Sequence, residues 1–227
     1  MGTRFYNRIE AGQLLANQLK AYASRTDVLV LGLPRGGVPV AYEVAHALNL
    51  PLDICLVRKL GVPDHRELAM GAIAFGGVRI LNDDILSSLS ISDQTLERVT
   101  ARELRELQRR DRAYRGNRPQ PEIRDQIVIL VDDGIATGAT MQAAIAVLKS
   151  QRPRQLIVAT PVAPIDTYQT LKAEVDQMTC LATPTPFYAI SLWYEYFDQT
   201  TDEEVRKLLA QQHHNISFIP TMPNAIG

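Results

Sequence analysis

Asp132 and Asp133 stand side by side where an apolar run stops, and little else in the chain is as rich in chemistry. Ile127-Val128-Ile129-Leu130-Val131, just before them, reads as a strand buried on both faces. Gly134, Thr137, Gly138 and Thr140 follow, and an alanine-rich helical pattern runs from Met141 to Lys149. A strand, a turn of glycine and threonine, and a helix start make an anion site. Backbone N–H groups there lack intrahelical partners, the helix dipole favours negative charge, and glycine permits close approach. Carboxylates beside such a cradle call for a ligand that also carries hydroxyls or a divalent cation. A ribose phosphate with Mg²⁺ offers both.

Two common phosphate loops do not fit. A Walker A loop needs G-x-x-x-x-G-K-[ST]. Gly134 and Gly138 are one residue too close for it, and Ala139 stands where the lysine belongs. The turn Gly32-Leu33-Pro34-Arg35-Gly36-Gly37 lacks the second glycine of the dinucleotide fingerprint. It still offers N–H groups and a cation at the end of an apolar strand, as Arg58-Lys59 does after Leu52 to Val57.

The acid pair with Thr137, Gly138 and Thr140 resembles the phosphoribosyl pyrophosphate (PRPP) motif of type I phosphoribosyltransferases. That resemblance implies that Ala136, Thr137, Gly138, Ala139 and Thr140 wrap the 5′-phosphate. It implies that Asp132 and Asp133 meet the ribose hydroxyls, directly or through Mg²⁺. Leu33-Pro34-Arg35-Gly36-Gly37 is similar to the family's pyrophosphate loop, with Arg35 as its cation and Gly36 or Gly37 expected to supply an uncommon backbone geometry. Arg58-Lys59-Leu60-Gly61 resembles an Arg-Lys loop of adenine phosphoribosyltransferases, which implies pyrophosphate contacts for Arg58 and Lys59. One departure matters: 6-oxopurine enzymes carry an aspartate where this chain has Ala136, so a purine general base is not identified. Over nearly its full length the chain most resembles a group known only as predicted phosphoribosyltransferases. Glu67 to Ala72, Tyr114-Arg115-Gly116, Trp193-Tyr194 and Asp202-Glu203-Glu204-Val205 share in that likeness.

The elements that must position these residues alternate. Helical spacing predicts a helix over roughly Ile9 to Ala23, a strand over Asp27 to Gly32, and a helix over Val38 to Leu48. Residues 60–81 read as an irregular, glycine-rich lid with short strand-like pieces. A charged helix follows from Asp93 to about Tyr114, then the motif strand and its helix, a strand over Leu156 to Thr160, a helix over Ile165 to Glu174, and an apolar piece at Met178 to Leu181. A short helix near Asp202 to Ala210 comes last. This alternation predicts an α/β fold: a parallel twisted sheet flanked by helices, ligands beyond the strands' carboxyl ends, and a small hood or lid on one domain spanning 1–227. The segment 182–200 faces the acceptor in this reading, with Trp193 and Tyr194 as candidates to stack on a base.

Composition sets the outer bounds. A formal net charge of −1 gives no support for a nucleic-acid binder. Arg98, Arg102, Arg105, Arg109, Arg110 and Arg112 share their helix with Glu97, Glu103, Glu106 and Asp111, so that helix reads as a solvated or subunit-packing face. His213-His214 do not make a metal site, since neighbours on a helix do not face each other, and His65 has only its place in the expected lid to recommend it. Two distant cysteines, Cys55 and Cys180, fit a reducing compartment, and no stretch is apolar enough to span a bilayer. The expectation is a cytoplasmic, Mg²⁺-dependent phosphoribosyltransferase. It passes ribose 5-phosphate from PRPP to a nitrogenous acceptor with inversion at the anomeric carbon, and releases pyrophosphate. A PRPP-binding regulator without transfer, and a hydrolase that admits water, share every residue named. A homodimer is expected by analogy alone.

Overall fold

The computed structural model describes residues 4–63, 65–74 and 77–217. Its first half contains α1 (Arg8–Gln18), β1 (Val28–Gly32), α2 (Gly37–Leu48), β2 (Leu52–Ile54), β3 (Val57–Val62), β4 (His65–Ala74), β5 (Arg79–Leu81) and α3 (Asp83–Ser88). The second half contains α4 (Asp93–Arg115), β6 (Ile127–Val131), α5 (Ala139–Ser150), β7 (Gln155–Val162), α6 (Ile165–Lys172), β8 (Gln177–Ala182) and α7 (Asp202–Ser217). Polar side chains start the helices where the chain provides them. Asn7 accepts from the Glu10 N–H at 3.0 Å, and Ser92 from that of Thr95 at 3.3 Å.

Five strands form one parallel sheet in the order β2-β1-β6-β7-β8. β1 and β6 lie in the middle of it and bury every residue, as strands covered on both faces must. Val30, Ile129 and Ile157 turn to one face, toward Leu15, Val44, Leu107 and Leu209. Leu31, Leu130 and Val158 turn to the other, toward Met141, Ile145 and Leu171. The chain moves from β1 outward to β2, then returns to place β6 on the opposite side of β1. That reversal opens a crevice between the carboxyl ends of β1 and β6, the place where open α/β sheets bind ligands. The Arg35 turn and the acid pair both leave the sheet at this point.

The span 60–81 is not irregular. Most of it belongs to a three-stranded antiparallel sheet, β3-β4-β5, that rests on α5 through Ala72, Ala74, Ala143 and Val147. Its glycines serve the pairing: the register shifts on either side of Gly61, and a Cβ on Gly71 would overlap the Ile80 carbonyl of β5. Asp64, Phe75 and Gly76 in that span lie outside the described residues, as do the side chains of Glu67 and His214. The strand expected over Leu52 to Val57 is also divided. β2 ends at Ile54, and Arg58 and Lys59 sit inside β3 of the second sheet rather than at the end of a parallel strand.

Among the described residues no helix is long and apolar enough to cross a membrane. The buried face of α4 carries Leu96, Val99, Leu107 and Tyr114, and its C-terminal Arg115 reaches back into the sheet. The Arg115 guanidinium donates to Asp53 of β2 at 3.0 Å, to the Ile54 carbonyl at 3.2 Å, and to Asp111. Burial pushes the Asp111 carboxyl above its ordinary range despite that cation.

Candidate functional site

β6 delivers Asp132 and Asp133 to the crevice. The backbone N–H of Asp133 donates to Asp132 Oδ1 at 2.9 Å. Burial first, and then the neighbouring Asp133 charge, push the Asp132 carboxyl well above the usual carboxylate range. Gly134 follows beneath Ile190, where any Cβ would collide. The chain then turns through exposed Ala136 and Thr137 to Gly138, whose φ of 78° lies in the left-handed region. Gly138 precedes α5 and brings no side-chain cap to it, so the first turn of that helix is not closed by its own sequence. Thr167 of α6 steadies the loop by donating to the Ala136 carbonyl at 3.0 Å. The outcome is a recess of about 240 Å³ lined by residues 132–141 and Ile190. All five predicted phosphate-loop residues, Ala136 to Thr140, face it.

The turn after β1 meets the acid pair directly. A Cβ on Gly36 would come within 2.6 Å of Asp133 Cγ, and one on Gly37 within 2.8 Å of both Asp132 Cα and the Val131 carbonyl. Glycine stands at both positions for close approach, not for an unusual φ: Gly36 has φ −60°, and Gly37 opens α2. The uncommon geometry expected of this loop resides instead in a cis peptide between Pro34 and Arg35. Arg35 projects toward α7, with Nη1 3.8 Å from Asp202 Oδ1. It helps to line a second recess of about 340 Å³, whose wall includes Gly36, Asp133, Phe197 and Asp198. Asp133 is common to both recesses.

Other expected residues lie elsewhere. Arg58 Nε donates to Glu103 Oε2 of α4 at 2.7 Å, and Arg58 lines neither recess. Lys59 lines a separate groove of about 820 Å³ with Asn82, Gln142 and Glu174, which touches the phosphate loop only at Ala139. Tyr194 is 3% exposed and packs between Phe5 and Phe197, with ring centroids 5.5 and 4.9 Å away, so it offers no face to a base. Its hydroxyl donates to the Asp133 carbonyl at 2.6 Å, and burial drives its ionisation far above the ordinary range. Trp193 belongs to the same aromatic cluster, and its carbonyl accepts from the Phe5 N–H at 2.9 Å.

One residue was invisible in the sequence pattern. Arg8, the first residue of α1, donates from Nε to Asp133 Oδ2 at 2.7 Å and from Nη1 to the Asp198 carbonyl at 2.7 Å, and its Nη2 forms an ion pair with the same Oδ2 at 2.7 Å. Its guanidinium lies 3.9 Å from the centre of the Phe197 ring. Nothing in the spacing links position 8 to position 133.

These features assemble two recesses around an acid pair at the switch point of a parallel sheet. Residues 5–190 match the family described as the Phosphoribosyl transferase domain. The chain belongs to that family. Its relatives include two Mycobacterium tuberculosis proteins provisionally named phosphoribosyl transferases, MT0597 of strain CDC 1551 and Rv0571c of strain H37Rv. Each is 44% identical over 213 residues, which is 94% of this chain and 48% of the relative. This phosphoribosyltransferase-family chain thus spans about half the length of the curated relatives it matches. TT1426 from Thermus thermophilus, a solved structure, is 42% identical with a TM-score of 0.84, over 92% of this chain and 99% of that one.

The carboxylates suit a small divalent cation. Mg²⁺ is usually held by one or two carboxylates together with substrate phosphates rather than by an all-protein cage. Asp132 and Asp133 supply such a pair, and no cluster of three His, Cys, Asp or Glu occurs among the described residues.

Proposed function

We propose that this chain transfers ribose 5-phosphate from PRPP to a nitrogenous acceptor and releases pyrophosphate. The observation that carries the reading is the position of Asp133 between the two recesses, one walled by the phosphate loop and the other by Arg35 and Gly36. PRPP has the matching layout: a phosphate at one end, a pyrophosphate at the other, and a diol between.

In this reading the loop from Ala136 to Thr140 takes the 5′-phosphate with backbone N–H groups and the Thr137 and Thr140 hydroxyls. Asp132 and Asp133 accept from the ribose 2′- and 3′-hydroxyls, or would hold Mg²⁺ beside them. When bound, Mg²⁺ would supply charge neutralisation on the pyrophosphate. Arg35 and the N–H groups of Gly36 and Gly37 stabilise the charge that grows on the leaving oxygen as its bond to the anomeric carbon breaks. The acceptor nitrogen forms its bond from the opposite face and inverts that carbon. With Ala136 in the loop, no protein base at that position takes a proton, so the acceptor either needs no deprotonation or gives its proton to a base elsewhere.

Incubation with PRPP, Mg²⁺ and a panel of nitrogenous bases tests the assignment, with pyrophosphate and ribosylated product followed separately. Product with one acceptor and matching pyrophosphate is expected. Binding without turnover for every acceptor would make the chain a PRPP sensor, and pyrophosphate release without an acceptor would make it a hydrolase.

A further inference from the structure

We propose that Arg8 is a displaceable counter-ion: it holds the Asp133 oxygen that a divalent cation or the ribose diol must reach, and then turns to the anion in the recess it shares with Arg35. The proposal rests on the PRPP-site reading above.

Three observations carry it. First, Arg8 hydrogen-bonds one oxygen, Asp133 Oδ2, from Nε at 2.7 Å and holds its Nη2 at the same distance from that oxygen in an ion pair. The other carboxylate of the pair, Asp132, takes the Asp133 N–H, and the two acids leave the same strand end. A cation that engages both acids therefore competes with Arg8 for Asp133. Second, the competition is strong, because both side chains are nearly buried, 12% exposed for Arg8 and 11% for Asp133. Charge pairs withdrawn from water are screened far less than surface pairs. Third, Arg8 has somewhere to go. It lines the 340 Å³ recess with Arg35, Gly36 and Asp133, and a guanidinium pivoting on the Phe197 face keeps an attractive contact as it turns. Its planar fork suits two oxygens of a diphosphate as well as it suits a carboxylate.

A plain structural tie and a displaceable counter-ion make opposite forecasts. Removing a tie loosens the acid pair and weakens every ligand. Removing a counter-ion frees Asp133 for a metal while it takes a cation from the anion recess.

The native chain and Arg8→Gln are titrated with Mn²⁺ alone by water-proton relaxation, and with PRPP in Mg²⁺ by calorimetry; circular dichroism confirms the fold. Arg8→Gln is expected to bind Mn²⁺ about tenfold tighter and Mg²⁺-PRPP about tenfold weaker, the scale of one charge-assisted hydrogen bond. Affinities that fall together, or that both stay within about twofold, overturn the proposal. Should Arg8→Gln not fold, Arg8→Lys keeps the charge but loses the fork. It is expected to tighten Mn²⁺ by a smaller factor, and unchanged Mn²⁺ affinity there overturns the proposal. If the native chain binds no PRPP at all, the proposed function fails, while the Mn²⁺ comparison still decides whether Arg8 competes for Asp133.

Discussion

Gly36 lies so close to Asp133 that the smallest possible side chain would overlap the carboxylate. Its φ of −60° is open to any residue, so the requirement is for space alone. Gly36→Ala should therefore fold, because the obstacle is a side chain that can rotate aside. The rotated Asp133 loses its place between the recesses, and PRPP affinity should fall about tenfold or more, as when a charged hydrogen bond is lost. Gly37→Ala should behave differently. Its Cβ would meet backbone atoms of Val131 and Asp132 at 2.8 Å, which cannot rotate away. That variant should lose about 1–3 kcal/mol of stability by overpacking. Calorimetric binding beside denaturant melts for the two alanines tests the contrast; equal stability losses would refute it.

Tyr194 supports the acid pair from beneath. Its hydroxyl donates to the Asp133 carbonyl, and the residue is only 3% exposed. Tyr194→Phe leaves that carbonyl without its donor while the ring packing against Phe5 and Phe197 persists. A stability loss of about 1–3 kcal/mol is expected, the cost of an unsatisfied buried acceptor. Chemical denaturation measures it directly, and a neutral substitution would show that water replaces the hydroxyl.

Arg115 makes a larger forecast. Its side chain is 4% exposed and neutralises Asp53 and Asp111 at the junction of α4 and β2. Arg115→Met strands two buried acids, which should cost about 3–5 kcal/mol. Adding Asp53→Asn and Asp111→Asn removes those charges, so the triple variant should regain part of the loss. Urea midpoints for the single and triple variants decide the matter. A triple variant less stable than the single would mean that the ion network is a net source of stability.

What the sequence could reveal followed the range of the interactions. The strand–turn–helix around the acid pair was legible because strand, acids, glycine and helix start sit within one short stretch and need no distant partner. The parallel sheet was legible from runs such as Val28 to Leu31, which pack on both faces whatever their neighbours. The β3–β5 sheet was not: Gly61 and Gly71 look like loop residues until the close approach of the neighbouring strand is known. Arg58 follows an apolar run, yet its destination depends on Glu103, 45 residues later. Tyr194 resembled a stacking residue because aromatic type alone does not say which face is covered. The Arg8–Asp133 pair spans 125 residues and could come only from the fold, which brings the start of α1 over the end of β6.

The outer face of α4 yields a pH forecast with a definite sign. Arg109 first, and then Arg110, hold the Glu106 carboxyl down at about 2, against an ordinary 4.5. A carboxyl depressed in the folded state contributes its full stabilisation above the unfolded value. That contribution fades as pH falls from about 4.5 toward 2 and is gone once both states are protonated. Glu106 and Arg109 are partly exposed, so solvent screening keeps the gain small, under about 1 kcal/mol. Glu106→Gln should therefore melt slightly below the native chain at pH 7 and level with it near pH 2. The gap should also shrink in about 1 M salt, where the Debye length is about 3 Å. Paired thermal melts across that pH range check the sign, and a gap that widens on acidification would reverse it.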